Sequence, residues 1–310
     1  MNLNPITQLK LFAIFLLKST IILAACIFSI YGCSEASAKK TFTIAYAPNE
    51  STEQSTDARN GLAKDLGMAL GMEVKEIQAS DYNAIIEALR TGKADMAYLG
   101  ALSVALAMER ANAEPIVMKA PNGDKKLATY RSVFIAKSDN ERINTLRDAK
   151  GKKIAFVDPN STSGNLVPTS EIMNAFPAEK LNSDIIHTNG EFFEAVSFSG
   201  KHQAGLQAVI KGDVDVVPIS DQILASEIAN GNAKEGAVKI IHSSSPIPAE
   251  AMIIGKTVSP ELKTKLVRFL TTYDNAAYFA KVIKVPGARF VPTSKEDYEA
   301  IVTLNHNINQ

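Results

Sequence analysis

Cysteine and histidine are scarce in this chain, and neither sign of charge is in excess. Its 310 residues include two cysteines, Cys26 and Cys33, both near the N-terminus. Beyond them the chain has no disulfide framework and no cysteine nucleophile. The four histidines show no metal-ligand spacing. We therefore expect no metal and no other cofactor.

Lysine plus arginine equals aspartate plus glutamate at 33 each, so the basic excess typical of nucleic-acid-binding proteins is missing. Nucleic acid is therefore not expected as a partner. The P-loop spacing of glycines and lysine is also absent, and Ser161 is not in a Gly-x-Ser-x-Gly elbow. We expect no enzymatic activity. The composition, with 46% hydrophobic and 21% charged residues, is that of a folded globular protein.

The N-terminal segment differs from the rest of the chain. Residues 11–31 form a long apolar stretch with a single charge, Lys18, and Lys10 precedes them. Lys10 and Lys18 fit a basic n-region and residues 19–30 an h-region, which predicts a signal peptide. The alternative is a transmembrane anchor, since about twenty apolar residues span a bilayer.

Both cysteines lie at the end of this segment, as lipidated cysteines do. Cys26 follows a leucine and two alanines, whereas Cys33 follows the poorer Tyr31 but precedes a polar stretch. Processing at Cys26 would leave apolar residues exposed on the tether. We predict a lipoprotein signal peptide over residues 1–33, an anchor at Cys33 (alternatively Cys26) and a tether over residues 34–40.

After residue 40, short apolar runs alternate with helical segments, which predicts an α/β fold with mainly parallel sheets. The segments recur: residues 85–95 are matched by residues 205–215, with Gly92 and Gly212 each ending a helix. Two similar lobes are the simplest explanation; chance similarity of two βαβ units is the alternative. The predicted strands cover residues 41–46, 74–77 and 95–99, the predicted helices residues 62–70, 82–91, 260–280 and 295–306, and the series restarts at residue 153.

Two further apolar strands, residues 132–136 and 251–254, stand where the chain would pass between lobes. The first lobe would comprise residues 41–131 and 250–310, and the second residues 132–249. Two lobes joined by two hinge crossings form a ligand clamp.

Ser161-Thr162-Ser163-Gly164 follows an apolar strand and precedes a helical segment. Backbone N–H groups at a helix start, together with three hydroxyls, form an anion site without a formal cation. Serine and threonine are equally suited to ordinary helix capping, which is the alternative.

The loop belongs to an ordered set of motifs. Together they resemble the phosphonate/phosphite/phosphate-binding proteins of ABC importers, which implies a two-lobed periplasmic binding protein of type II-like architecture. The likeness extends over residues 41–290, through the segments 95–103, 130–135, 152–164, 200–215 and 245–250.

The resemblance implies a ligand site drawn from both lobes. Hydroxyls of the serine-threonine loop would hold the phosphorus oxygens, two tyrosines and a histidine would add hydrogen bonds, and Glu250 would meet the amine of an aminophosphonate. The implied residues are Tyr82, Tyr130, Ser161, Thr162, Ser163, His202 and Glu250.

Some positions depart from the aminophosphonate binders. Gln222 replaces a second carboxylate, which the adjacent Asp221 would have to supply, and Arg131 favours a more anionic ligand. Tyr98 would pack near the cleft or contact the ligand. These departures leave phosphonate, phosphite and phosphate all open.

We therefore expect a monomeric, lipid-anchored protein of the periplasm or cell envelope. It would capture a small phosphorus oxyanion and deliver it to an ABC permease in the inner membrane, touching the membrane only through its lipid. The alternatives are a sensor that signals to a membrane kinase and a periplasmic phosphoester hydrolase.

Overall fold

The computed structural model describes residues 41–48 and 53–308. The predicted signal peptide, the tether and both candidate anchor cysteines lie outside these residues. Over the described ranges, the helices are too short or too polar to cross a bilayer.

The strands form two large sheets and one small ribbon. A six-stranded sheet has the order β13-β4-β12-β3-β1-β2, and a five-stranded sheet has the order β10-β6-β9-β7-β8. Strands β5 and β11 pair with each other. The strands are β1 Thr41–Tyr46, β2 Glu73–Gln78, β3 Met96–Leu99, β4 Glu114–Ala120, β5 Thr129–Tyr130, β6 Ser132–Lys137, β7 Lys153–Phe156, β8 Ala195–Phe198, β9 Val216–Ser220, β10 Val238–Ser243, β11 Ile247–Pro248, β12 Ala251–Ile254 and β13 Arg289–Pro292.

Helices connect these strands. The predicted helix over residues 62–70 begins earlier, at Thr56, because the buried spacing of its last two turns continues back to Ala58. The segment predicted as one helix over residues 260–280 is two, because Asn275 caps a new helix by accepting the N–H of Tyr278 at 3.1 Å. The α-helices are α1 Thr56–Leu70, α2 Tyr82–Thr91, α3 Ala101–Ala111, α4 Val167–Ala175, α5 Ser183–His187, α6 His202–Lys211, α7 Asp221–Ala229, α8 Pro260–Thr272, α9 Ala276–Lys281 and α10 Glu299–Ile308.

The sheets are mixed, which corrects the prediction of mainly parallel ones. Strand β1 pairs in parallel with β2 and β3, and β7 with β8 and β9. Strands β12 and β6 instead join β3 and β9 antiparallel. Both follow the β5–β11 ribbon, so they enter their sheets from the opposite end to the parallel strands.

The predicted internal repeat is confirmed. The order β12-β3-β1-β2 in one sheet matches β6-β9-β7-β8 in the other. Asp95 accepts the N–H of Thr43 at 2.8 Å, and Asp215 accepts that of Lys153 at 2.9 Å. The two aspartates thus hold the first strand of each unit in the same way.

The two chain crossings form the antiparallel ribbon, in which Ile247 faces Tyr130 and Pro248 faces Thr129. Strand β6 then belongs to the five-stranded sheet and β12 to the six-stranded sheet. The chain therefore has a two-lobed fold, with one sheet in each lobe. We refer to the lobe of the six-stranded sheet as the first and to the other as the second; the exact residue bounds of the lobes stay a prediction.

The matched aspartates give a test of the repeat. We expect Asp95→Ala to lower the free energy of unfolding by about 2 kcal/mol, because hydrogen bonds to charged groups contribute roughly 1.5–3 kcal/mol. Asp215→Ala should cost less, since Asp95 is 3% exposed and Asp215 is half-buried. Urea denaturation measures both. No loss of stability in one of the variants would contradict the matched role of the two aspartates, and equal losses would contradict only the dependence on burial.

Candidate functional site

A small cavity lies where the parallel strands of both lobes end. Its volume is about 20 Å³, and its walls come from the loops after β1, β3 and β7, the first residues of α2 and α6, and the ribbon. Ligands in open α/β sheets bind at this edge, where the strand order reverses. The lining residues are Ala47, Tyr82, Gly100, Tyr130, Ser161, Thr162, Ser163, His202 and Glu250.

All the ligand residues implied by the resemblance therefore meet in one cavity, although they are far apart in the chain. The repeat explains part of this arrangement. Tyr82 is the first residue of α2 and His202 the first of α6, so equivalent helices present them from opposite lobes. That these side chains bind a ligand stays a prediction.

The serine-threonine loop is built as a tight turn after β7. The hydroxyl of Ser161 accepts the N–H of Gly164 at 3.1 Å, as a helix cap does, and a π-helical turn follows over Thr162–Leu166. A Cβ added to Gly164 would lie 2.4 Å from the Cβ of Val157, so glycine is required there. The capping interpretation is thus correct for Ser161, but its own hydroxyl proton stays available for an anion.

The same loop touches the first lobe directly. The hydroxyl of Thr162 accepts the N–H of Leu102 at 2.8 Å, and the hydroxyl of Ser103 donates to the carbonyl of Asn160 at 3.0 Å. Both partners in the first lobe lie in the opening turn of α3, where N–H groups lack intrahelical acceptors. The cleft is therefore closed by hydrogen bonds between the lobes.

Tyr130 reaches the loop from the ribbon. Its phenol is 5% exposed and hydrogen-bonds the side chains of Ser163 and Thr162. Burial raises the pKa of Tyr130 well above its usual value, and the nearby Glu250 carboxylate adds to the effect. The phenol therefore keeps its proton and can act as a donor.

Tyr82 is 4% exposed, and its ring is held at the start of α2. Its backbone N–H donates to the carboxylate of Asp158, which follows β7 in the other lobe. Burial raises the pKa of Asp158, while hydrogen bonds from the N–H groups of Asn160 and Tyr82 act in the opposite direction. This contact is another hydrogen bond across the cleft.

His202 is 3% exposed, and burial lowers its pKa to about 3. The N–H of Ser220 points at its Nδ1 from 3.3 Å, so Nδ1 is the acceptor and the neutral ring carries its proton on Nε2. The side chain lies in the cavity wall. His202 is thus a neutral N–H donor rather than a cation.

Glu250 has a partner that sequence reasoning missed. Lys119 in β4 places its Nζ 2.6 Å from Oε2 of Glu250, and the two side chains are 4% and 14% exposed. The same ammonium lies 5.7 Å from the centroid of the Tyr130 ring. The only signal in the sequence is one lysine within an apolar run, in a strand that was itself not predicted.

The remaining candidate residues do not line the cavity. The Arg131 guanidinium donates to the carbonyl of Ser244, and its side chain is exposed. The Asp221 carboxylate accepts the N–H of Arg131 at 3.1 Å and of Gln222 at 2.8 Å. Burial raises the pKa of Asp221 despite these bonds. The Gln222 amide donates to the carbonyl of Thr129 at 3.4 Å.

Tyr98 lies in the core instead, in the same apolar cluster as Tyr46 and Tyr278. Its neighbours in β3, Ala97 and Leu99, belong to the cluster on the cavity side. Side chains alternate between the two faces of a strand, so Tyr98 points away from the cavity.

Comparison with known proteins identifies the family. The family model described as ABC transporter, phosphonate, periplasmic substrate-binding protein matches residues 44–298. This chain belongs to that family. Family membership implies a periplasmic location.

The curated relatives of this periplasmic binding protein agree with the family assignment. It is 28% identical over 280 residues to the phosphate-import protein PhnD of Mycolicibacterium smegmatis, covering 84% of each chain. It is 31% identical over 215 residues to the phosphonates-binding periplasmic protein of Escherichia coli, covering 68% of this chain and 59% of that one.

Solved structures share its fold. A binding protein component of an ABC phosphonate transporter from Pseudomonas aeruginosa gives a TM-score of 0.74 at 24% identity, covering 87% of this chain and 86% of that one. PhnD1 of Prochlorococcus marinus, solved in complex with methylphosphonate, gives a TM-score of 0.74 at 19% identity, covering 87% of this chain and 98% of that one.

The glycine in the loop of this binding protein gives one prediction. We expect Gly164→Ala to lower the free energy of unfolding by about 1–3 kcal/mol, because the added carbon collides with Val157. Gly61→Ala is the control. Gly61 lies inside α1, and a Cβ added there would have no neighbour closer than 3.9 Å, so the change should raise the free energy of unfolding by about 0.5–1 kcal/mol. Chemical denaturation measures the free energy of unfolding of both variants. Equal changes would contradict the conclusion that the turn at Gly164 leaves no room for a Cβ.

The buried histidine gives another. Between pH 6.5 and about 3, the unfolded state binds a proton at His202 that the folded state refuses, so stability falls as the pH falls. We expect the stability of the wild type relative to His202→Gln to drop by about 2 kcal/mol from pH 7 to pH 5. Denaturation at both pH values tests this, since other titrating groups are common to both proteins. A constant difference would show that His202 is not held neutral.

Proposed function

We propose that this chain captures a small phosphorus oxyanion, a phosphonate, phosphite or phosphate, between its two lobes. The observation that carries the proposal is a closed cavity in which hydroxyls and a neutral imidazole N–H converge from both lobes. Each hydrogen bond to a charged group contributes roughly 1.5–3 kcal/mol, so several aligned donors can offset the desolvation of an anion.

The roles follow from the geometry. The hydroxyl of Ser161 accepts a backbone N–H, which leaves its proton free to point at a ligand oxygen. The hydroxyl of Thr162 accepts the N–H of Leu102 and is also hydrogen-bonded to Tyr130, so a ligand oxygen would take the place of one partner in that second bond. Ser163 and Tyr130 add hydroxyls, and His202 adds its Nε2–H. A ligand oxygen bound to Thr162 would polarise the hydroxyl that accepts from Leu102, so binding and closure would strengthen each other.

The size of the cavity favours a compact ligand. At about 20 Å³ the cavity has room for about one water molecule, so the lobes must part further to hold an oxyanion, and a compact one needs the smallest separation. Entry requires the lobes to part at the ribbon, which breaks the bonds between Thr162 and Leu102 and between Ser103 and Asn160. The ribbon would thus act as the hinge of a clamp.

The relatives support this ligand class by name, as a phosphate-import protein, a phosphonates-binding protein and a probable phosphite-binding protein. We propose that the protein delivers this ligand to an ABC permease. We also propose that a lipid anchor at Cys33, or alternatively at Cys26, holds the protein at the membrane. We further propose binding without catalysis, because the neutral His202 donates through Nε2 and accepts through Nδ1. It therefore has no free acceptor with which to activate a serine.

Isothermal titration with phosphite, phosphate and methylphosphonate tests the proposal. We expect at least one of them to bind the wild type and Thr162→Val to weaken it 10–100-fold, as the loss of one charge-assisted hydrogen bond predicts. Thr264→Val, which removes an exposed hydroxyl from α8, is the matched control and should leave affinity unchanged. Failure of all three ligands to bind would refute the proposal.

A further inference from the structure

The ion pair of Lys119 and Glu250 lies at the edge of the cavity and affects which ligand groups Glu250 can bind. Lys119 and Glu250 are held together twice: the Nζ lies 2.6 Å from Oε2, and the N–H of Lys119 donates to the carbonyl of Glu250 at 3.1 Å. The Tyr130 ring covers the ammonium at 5.7 Å. Because both side chains are largely buried, little water screens their charges.

The neighbouring acid is also engaged. Asp221, which lies close enough to interact electrostatically with Lys119 and Glu250, accepts two backbone N–H groups. Position 222 holds an uncharged glutamine. Each of the two carboxylates that the described residues place at this end therefore already has a partner within the protein.

We propose that Lys119 is a specificity-determining residue whose ammonium occupies the place of a ligand amine against Glu250. The inference rests on the proposed function and narrows it: the site takes phosphorus oxyanions without an amino group and rejects aminoalkylphosphonates. An ammonium brought beside Glu250 would lie next to the Lys119 ammonium, while the second carboxylate, Asp221, is already engaged by two backbone N–H groups. An uncharged substituent meets no such repulsion, and the oxyanion itself is attracted to Lys119.

Two isosteric probes measure this selectivity. Ethylphosphonate and aminomethylphosphonate have the same number of heavy atoms and differ in a terminal methyl against a terminal ammonium. By isothermal titration with the purified protein, we expect the wild type to bind ethylphosphonate at least about tenfold more tightly. Methylphosphonate and phosphite serve as smaller reference ligands.

Two variants distinguish the effect of the Lys119 charge from that of the Glu250 charge. Lys119→Met keeps an unbranched side chain of similar length and frees the Glu250 carboxylate, so the preference should shift at least tenfold toward aminomethylphosphonate. Glu250→Gln keeps Lys119 and should still reject the amine. Circular dichroism and a thermal melt establish whether each variant is folded. If Lys119→Met does not fold, Glu250→Gln alone tests the proposal.

Each outcome has a distinct meaning. Equal or tighter binding of aminomethylphosphonate by the wild type would overturn the inference while leaving oxyanion binding intact, as would loss of discrimination in Glu250→Gln. If the reference ligands bind but neither larger probe does, even with Lys119→Met, size rather than charge sets the selectivity and the inference is wrong. If no phosphorus oxyanion binds at all, the proposed function itself fails.

Discussion

The hydroxyl of Thr162, 2.8 Å from the N–H of Leu102, connects the two halves of the molecule at the place where they enclose the cavity. One atom belongs to the loop after β7 and the other to the opening turn of α3, and the backbone N–H there needs an acceptor from outside its helix. The same hydroxyl is also hydrogen-bonded to Tyr130 in the cavity wall, so a residue that closes the cleft lies where the proposed anion would bind. Closure and the proposed recognition thus meet at one side chain.

The electrostatics of the cavity follow from burial. A phenol that keeps its proton and an imidazole that stays neutral surround the loop, so the walls offer donors without adding net charge. The charged pair of Lys119 and Glu250 is self-compensated. Such a site suits a compact anion, whose charge is spread over several oxygens and met by dipoles rather than by one counter-ion.

The duplicated topology explains why the site forms between lobes. Each lobe contributes a parallel β-α-β unit whose helix presents one polar side chain, Tyr82 or His202, at the carboxyl edge of its sheet. The ribbon of β5 and β11 then returns the chain so that both edges face each other. The antiparallel strands β6 and β12 are the consequence of this return, which makes the sheets mixed.

Local pattern was enough to determine much of this protein. The strand-helix alternation, the end of α2 at Gly92 and the repeat are properties of neighbouring residues, and the ordered motifs indicated the family and most of the cavity wall. The tertiary structure alone decided which way Tyr98 faces, how Asp221 and Arg131 are used, and that Lys119 neutralises Glu250. The contacts of Asp221, Arg131 and Lys119 join residues at least 90 positions apart in the chain, and neither periodicity nor spacing encodes which side chains such contacts bring together.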